Sequence, residues 1–307
     1  LTHQKKYMSK QIIVVAGGTG DLGGRIIKAL LNKGAEVRVL VRSTSDIKKI
    51  SHLEQIGADV KAIDMTSEQE ISSACSGATC VVSALAGLHD VVIDAQKVLL
   101  NGAILAGVPR FIPSDYSLDF TKFKDGENRN LDLRRAFHQY LDSTSISATT
   151  IFNGAFMDML TNEIPMIIFK KKLVLYWGNA DHKMGFTTLD DTALFTANVA
   201  LDESTPRYLR IAGDQISPRE IREVMNKLSG QKFRLLRTGG LGLLSIIIKI
   251  ARKISPGKTD LYPTWQGMQY MRNMMDERAT LKTIDNNRYA DMKWTMVKDL
   301  LSNHKLN

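Results

Sequence analysis

The first half of the chain alternates short apolar runs with helical periodicities. Ile12 to Ala16 is a strand-like run that stops at glycines, and Leu22, Ile26, Ile27, Leu30 and Leu31 then fall on one helical face. Glu36 to Arg42, rich in β-branched residues, reads as the second strand and Asp59 to Asp64 as the third. Thr79 to Leu85 is almost continuously apolar, as expected of a strand buried on both faces. Val91 to Ala106 has helical spacing and ends at Gly107; Val108 to Pro113 is the fifth strand and Ala148 to Phe152 the sixth. Strands separated by helices pair in parallel through crossovers, so the pattern predicts a Rossmann-type, doubly wound α/β sheet.

The second half has a mixed pattern. Tyr208 to Gly213 reads as a strand. Ser217-Pro218-Arg219-Glu220 has the form of a capping box with proline at the first helical position, opening a helix from Ile221 to Leu228 that ends at Gly230. Lys232 to Arg237 is strand-like; Leu261 to Met275 and Arg288 to Leu301 have helical spacing. Met268, Met271, Met274 and Met275 read as core. The most apolar stretch, Leu241 to Ala251, is interrupted by Lys249 and is shorter than the ~20 residues of a membrane span. Leu241 to Ile250 is equally compatible with a lid, a dimer contact or a buried helix. A membrane-surface helix is a minor option, since only Lys249, Arg252 and Lys253 offer a basic face, and no membrane partner is expected.

At 307 residues the chain can hold one large domain or two moderate ones. The division expected is a dinucleotide-binding domain over 8–153, rejoined by segments around 186–213, and a smaller substrate-binding part over 154–307. The net charge of +9 favours anionic partners, a phosphorylated cofactor among them. The basic residues are spread out, with no Lys/Arg block interleaved with aromatics, so nucleic acid is not an expected partner. Cys75 and Cys80 form neither a C-x-x-C pair nor a disulfide framework, which suits a reduced, cytoplasmic setting. The six histidines show no metal-ligand spacing, and no metal is expected. Leu1 to Lys10 is polar and basic, unlike a signal peptide, and residues 1–7 read as an extraneous or disordered lead to Met8-Ser9-Lys10.

The chemistry begins at the glycines. Gly17, Gly20 and Gly23 give a G-x-x-G-x-x-G turn between a strand and a helix. The first allows the tight turn, the second a close backbone approach to a pyrophosphate, the third close packing of helix on strand. Gly17, Thr19, Gly20, Asp21, Leu22 and Gly23 are therefore the expected phosphate site, with amides of the helix start facing the ligand. Arg42 stands at the end of the second strand, 19 residues after Gly23, where NAD-selective sites carry an acid. An arginine there pairs with the 2′-phosphate of NADP; otherwise it is a solvated strand-end charge. Asp64 and Met65, at the carboxyl end of the third strand, suit the adenine, although Asp64 also suits a helix-opening turn. Ala84 and Leu85 end the fourth strand and join the expected cofactor site with Ala86 and Gly87, which follow it and whose small size permits approach to the phosphoribose or nicotinamide.

Four stretches resemble the NmrA-like and isoflavone-reductase-like branch of the atypical short-chain dehydrogenase/reductases. They are Gly17-Gly18-Thr19-Gly20-Asp21-Leu22-Gly23, Gly107 to Tyr116, Asn153 to Asp158, and Phe186 to Ala193. Arg110-Phe111-Ile112-Pro113-Ser114-Asp115-Tyr116 is similar to the R-F-x-P-S-E-F-G signature of the reductases, with Asp115 and Tyr116 in the Glu and Phe positions. The resemblance implies a smaller, mostly helical C-terminal part walling a substrate cleft, and it places Asn153 near the nicotinamide. It also implies a general acid/base lysine in a K-x-x-I-R-R pattern. The matching run here is Asn130-Leu131-Asp132-Leu133-Arg134-Arg135, and Asn130 can orient a substrate but cannot deliver a proton.

Two functions follow from this reading. One is an NADPH-dependent reductase acting on a small, fairly apolar acceptor such as an enone, quinone or aryl carbonyl, with Tyr116, Ser114, Asn153 and Asn130 on the reacting side. Tyr116 either donates the proton or packs against cofactor or substrate; Lys122 and Lys124 are near in sequence but more simply solvated. The other, raised by Asn130, is a non-catalytic NADP(H) sensor of the NmrA type with a protein partner.

Overall fold

The computed structural model describes residues 11–161 and 165–304. The lead expected before Met8, and Met8-Ser9-Lys10, lie outside the described residues. In chain order, β1 (Ile12–Ala16), α1 (Asp21–Asn32), β2 (Glu36–Arg42), α2 (Ile47–Gln55), β3 (Asp59–Ile63), α3 (Glu68–Cys75) and β4 (Cys80–Ser83) alternate as the periodicities require. A π-helical turn, Asp90–Ala95, then leads into α4 (Gln96–Leu105), followed by β5 (Arg110–Ile112) and α5 (Arg129–Leu141). The π turn replaces the regular start expected for this helix. Buried Gln96 donates to Val92 O at 2.8 Å just past it.

These strands form a parallel sheet in the order β3-β2-β1-β4-β5-β6, where β6 is Ser147–Ala148. Strand β7 (Thr150–Phe152) continues β6 after Thr149. Successive amides of a strand point opposite ways. Thr149 N accordingly donates to Phe111 O on the β5 side, and Thr150 N to Arg207 O on the other. Short strands β8 (Ala155–Phe156) and β9 (Ile167–Ile168), then β10 (Leu173–Trp177), β11 (Met184–Thr187) and α6 (Leu189–Leu201), lead to β12 (Tyr208–Arg210), which pairs in parallel with β7. Helix α6 packs on α1. Strands β12 and β7 form a two-stranded sheet of their own beside the six-stranded one, while β11 pairs with β8 and β13.

The remainder is β13 (Asp214–Ile216), α7 (Pro218–Ser229), β14 (Arg234–Gly239), α8 (Leu241–Ile254), α9 (Thr264–Met274) and α10 (Val297–Asn303). Two three-stranded sheets, β14-β10-β9 and β13-β11-β8, lie in this half. The Ser217 capping box forms, and Gly230 ends α7 in the left-handed conformation. Helix over Arg288 to Leu301 is a correction: only Val297–Asn303 is α-helical, after a 3₁₀ turn at Asn286–Arg288. The segment between is held by tertiary contacts instead. Tyr289 and Trp294 pack on the Phe195 ring, and Thr295 N donates to Asp191.

Three apolar clusters make the core. One lies between the parallel sheet and α1 and α6, another between the sheet and α3, α4 and α5. A third fills the second half, with Met274 and Met275 in it. The carboxyl ends of β1, β2, β4, β5 and β7 leave the core together, which is where ligands bind in open parallel sheets.

Candidate active site

The glycine turn has two kinds of glycine. Gly17 has φ +87°, and a Cβ there would stand 2.5 Å from Ala84 O. A Cβ on Gly23 would collide with Gly17 O. Both are required by the packing of β1, α1 and the β4 end. Gly20 has an ordinary φ of −82°, and its Cβ would meet nothing nearer than Gly17 O at 3.3 Å. The fold asks less of a glycine here than at Gly17 or Gly23. As N-cap of α1 it supplies no side-chain cap, so the first amides of that helix keep their donors for a ligand. These features fit a pyrophosphate. The Asp21 carboxylate is engaged elsewhere: Arg25 bridges it (2.8 Å) to Asp190 (2.5 Å), tying α1 to α6.

Arg42 is exposed at the end of β2. The sequence reading missed a second cation beside the loop: Lys49, on α2, donates to Thr19 O at 3.2 Å. Its signal was its place in the first turn of the helix after β2, but the direction it faces depends on where that helix starts. Asp64 Oδ1 accepts from Thr66 N (2.8 Å) and Thr66 Oγ1 (2.7 Å), bonds that hold its carboxyl below the usual range. It builds the turn into α3 while remaining exposed at the carboxyl end of β3. Met65 packs half-buried against the α3–α5 core cluster.

The loops after β4 and β5 are tied together. Ser114 Oγ donates to Leu85 O at 2.7 Å, and Ser114 N to Gln96 Oε1 at 2.8 Å. The structure thus brings Ser114 onto the Ala84–Gly87 segment. Asp115, fully buried, accepts from His138 Nε2 (2.6 Å) and Thr150 Oγ1 (2.9 Å). Neither partner was visible in sequence, since each lies on a different element. Asn153 follows β7, fully buried, with its Nδ2 3.5 Å from Thr192 Oγ1 and its backbone O accepting from Thr187 Oγ1 at 2.7 Å.

Four buried polar atoms at these strand ends lack hydrogen-bond partners among the described residues: Ser83 Oγ, Asp115 Oδ1, Tyr116 Oη and Asn153 Oδ1. Buried groups are normally paired, so this concentration marks the carboxyl edge as a binding region. Tyr116 is the exception in orientation. Its ring belongs to the cluster between the sheet and α6, and it is 6% exposed. Thr196 faces the phenol but commits its own proton to Thr192 O. Burial pushes the phenol well above its ordinary range, with the Asp115 charge adding to this. As placed, the Tyr116 hydroxyl lies inside the core as a weakened acid, and direct proton donation would need it to leave this position.

Asn130 sits in the first turn of α5, 2% exposed. Arg129 Nε donates to its Oδ1 at 3.1 Å, and its Nδ2 is 3.4 Å from Leu261 O. Around it, Asn128 binds Asn273 (3.0 Å) and Gln266 (2.8 Å), and Arg129 N donates to Gln269 at 3.1 Å. Helix α9 thus closes over the start of α5. None of the Asn130 side-chain bonds among the described residues reaches Ser114, Tyr116 or Asn153. Lys122 donates to Thr280 O at 2.9 Å, and burial lowers its pKa; Lys124 is exposed.

A family model described as the NmrA-like family matches residues 9–288. The chain belongs to the NmrA-like family. Bifunctional pinoresinol-lariciresinol reductase 1 of Linum usitatissimum is 27% identical over 256 residues, 78% of this chain and 82% of the relative. Among solved structures, AtPrR2 with NADP+ and (+)pinoresinol superposes with TM-score 0.79 at 22% identity, covering 95% of this chain and 98% of the other. An isoflavone reductase gives 0.79 at 18%, covering 95% and 99%. An NADPH-dependent quinone oxidoreductase from Escherichia coli, complexed with NADPH, gives 0.72 at 17%, covering 94% and 98%. At these identities the structures establish the shared fold.

Within this NmrA-like chain, two of the sequence stretches acquire structural roles. Arg110 donates to Val199 O (2.8 Å), Ala200 O (3.2 Å) and Thr205 Oγ1 (2.8 Å), capping the carbonyl end of α6. Phe186 to Ala193 docks the other end of that helix: Thr188 is its N-cap, and Asp158 accepts from Leu189 N at 2.8 Å.

Proposed function

We propose that this chain is an NADP(H)-dependent oxidoreductase that passes hydride to a small, fairly apolar acceptor, of the quinone type in particular. The observation that carries the cofactor is the glycine loop flanked by two cations. Gly17 to Gly23 receive the pyrophosphate; Arg42 and Lys49 receive the 2′-phosphate, which a guanidinium binds in bidentate fashion. Asp64 and Met65 border the adenine end, and Ala84 to Gly87, Ser114 and Asn153 the nicotinamide end. When bound, the dinucleotide supplies the hydride. The names of the flax relative and of the solved structures, with NADP+ or NADPH in two of them, support this reading.

Asn130 narrows the acceptor. Reduction of an aryl carbonyl leaves a strongly basic oxygen that needs a positioned acid. A quinone gains a hydride and leaves a delocalised hydroquinone anion, which takes its second proton from water. No side-chain acid is then required, which suits a site with Asn130 in the lysine position and Tyr116 in the core.

The same asparagine favours one other reading, an NADP(H)-binding redox sensor without turnover. NADPH oxidation followed against a panel of quinones, enones and aryl carbonyls decides between them. Quinone turnover that outpaces the other acceptors supports the proposal. Tight NADPH binding with no turnover on any acceptor overturns it in favour of the sensor.

A further inference from the structure

Helix α8 presents an apolar face to solvent. Leu244 and Ile248 point inward and are buried. Leu243, Ile246, Ile250 and Ile254 do not: they are 48%, 55%, 53% and 79% exposed. Spaced three and four residues apart, they fall in one stripe along the helix. Lys249 and Lys253, each one residue before a stripe isoleucine and both exposed, line one edge of it. Arg252 is held over the Trp265 ring at 5.0 Å and is less free to act.

Along the chain, the charge flanking the stripe is of one sign. Between Glu223 and Asp260 the sequence has eight lysines and arginines and no carboxylate. Strand β14, which feeds the helix through Gly240, adds exposed Leu236, Arg234 and Arg237 at the edge of its sheet. Apolar exposure and a basic, carboxylate-free sequence therefore coincide on α8 and the strand that feeds it.

We propose that α8 docks this protein on an anionic lipid bilayer. The helix lies in the plane of the interface, with its aliphatic stripe at the headgroup–acyl boundary and Lys249 and Lys253 on lipid phosphates. Its 14 residues are too few to cross a membrane, and no described helix is long and apolar enough to do so. A second copy is the poorer occupant, because pairing the two faces would bring together two basic segments that hold no carboxylate between Glu223 and Asp260. The stripe is purely aliphatic and offers no directional group for a protein partner to read, whereas hydrocarbon needs none. This revises the expectation of no membrane partner.

Co-sedimentation of the full chain with vesicles tests it. Phosphatidylcholine vesicles carrying phosphatidylglycerol are expected to bind it at least about tenfold better than phosphatidylcholine alone, with the difference declining as salt is added. The double variants Ile246→Asn/Ile250→Asn and Lys249→Ala/Lys253→Ala are each expected to lower binding to the anionic vesicles about tenfold. These positions are on the surface, and unchanged thermal unfolding would verify that the variants fold. Equal binding to the two vesicle types, or none, overturns the proposal. So does a dimer that dissociates in Ile246→Asn/Ile250→Asn while vesicle binding is unaltered, which would make a second copy the occupant.

Discussion

Arg207 donates through Nη2 to His138 Nδ1 at 2.9 Å, and this bond assigns the protons of a buried chain. A guanidinium has no acceptor, so Nδ1 must accept and the ring proton sits on Nε2, donated to Asp115 Oδ2 at 2.6 Å. Arg207 Nη1 also donates to Thr150 Oγ1 (2.8 Å), which passes its own proton to Asp115 (2.9 Å), while Asp142 pairs with the guanidinium at 2.7 Å. The Asp115–His138 contact is thus a carboxylate accepting from the imidazole Nε2–H. It locks α5 and β7 to the Ser114 loop.

Removing His138 should be costly. His138→Ala strips the buried carboxylate of its shortest donor, and a loss of about 3 kcal/mol is expected in urea unfolding. Arg207→Ala should cost less, since Arg207 is only partly buried, but it frees Nδ1. Nitrogen NMR of the ring should show the Nε2–H tautomer in the wild type and a loss of that preference in the variant. An Nδ1–H tautomer in the wild type would contradict the assignment.

The pH dependence has a definite sign. Burial alone would raise the Asp115 carboxyl, but His138, the Arg134 charge and Thr150 outweigh it and hold it below the ordinary range. A depressed folded value stabilises the fold above the unfolded value of about 4 and loses that effect as pH falls through the folded value. The stability gap between wild type and Asp115→Asn should therefore be full at neutral pH and close under acid. A gap that widens on acidification would reverse the sign.

The glycines should separate fold from ligand. Gly17→Ala places a Cβ 2.5 Å from Ala84 O at a positive φ, and should lower stability by about 1–3 kcal/mol. Gly20→Ala has an ordinary φ and only a 3.3 Å contact, so unfolding should shift by less than about 0.5 kcal/mol. Its NADPH affinity, read by nicotinamide fluorescence, should nevertheless fall about tenfold or more as the loop backbone is pushed from the phosphate. Equal effects of the two substitutions on stability would show that Gly20 too is structural.

What could be read in sequence was local. β1 and β2 form where their apolar runs begin and end, and the Ser217 box forms because its partners lie three residues apart. What escaped depends on distance or on orientation. Asp115, His138 and Arg207 come from three separate elements. The helical spacing around Tyr289 and Trp294 lost to their packing on Phe195. Periodicity called α8 apolar but could not choose which of its faces the core would take, and the phenol of Tyr116 could have turned to either side of the sheet.

Arg42 and Lys49 make a paired prediction. Arg42→Ala should lower the preference for NADPH over NADH about tenfold, and Lys49→Ala should lower it by a smaller factor, since an ammonium binds phosphate at a single point. Lys49→Ala also releases Thr19 O, so its NADH affinity should change too, whereas that of Arg42→Ala should not. Fluorescence titration of both cofactors separates the two. An unaltered preference in Arg42→Ala would leave that residue a solvated strand-end charge.

Tyr116→Phe tests the placement of the phenol most directly. A phenol that donates the proton would lose turnover on losing its hydroxyl. The hydroxyl here is buried without a hydrogen-bond partner among the described residues, and burial raises its pKa, so its removal takes away an unpaired polar group and leaves the ring packing unchanged. The variant should therefore be as stable as the wild type or up to about 1 kcal/mol more so. Quinone turnover should stay within about twofold, because that reaction draws its proton from water. A large drop in kcat with KM unaltered would return Tyr116 to the reacting side, and would require the loop after β5 to open when cofactor and acceptor bind.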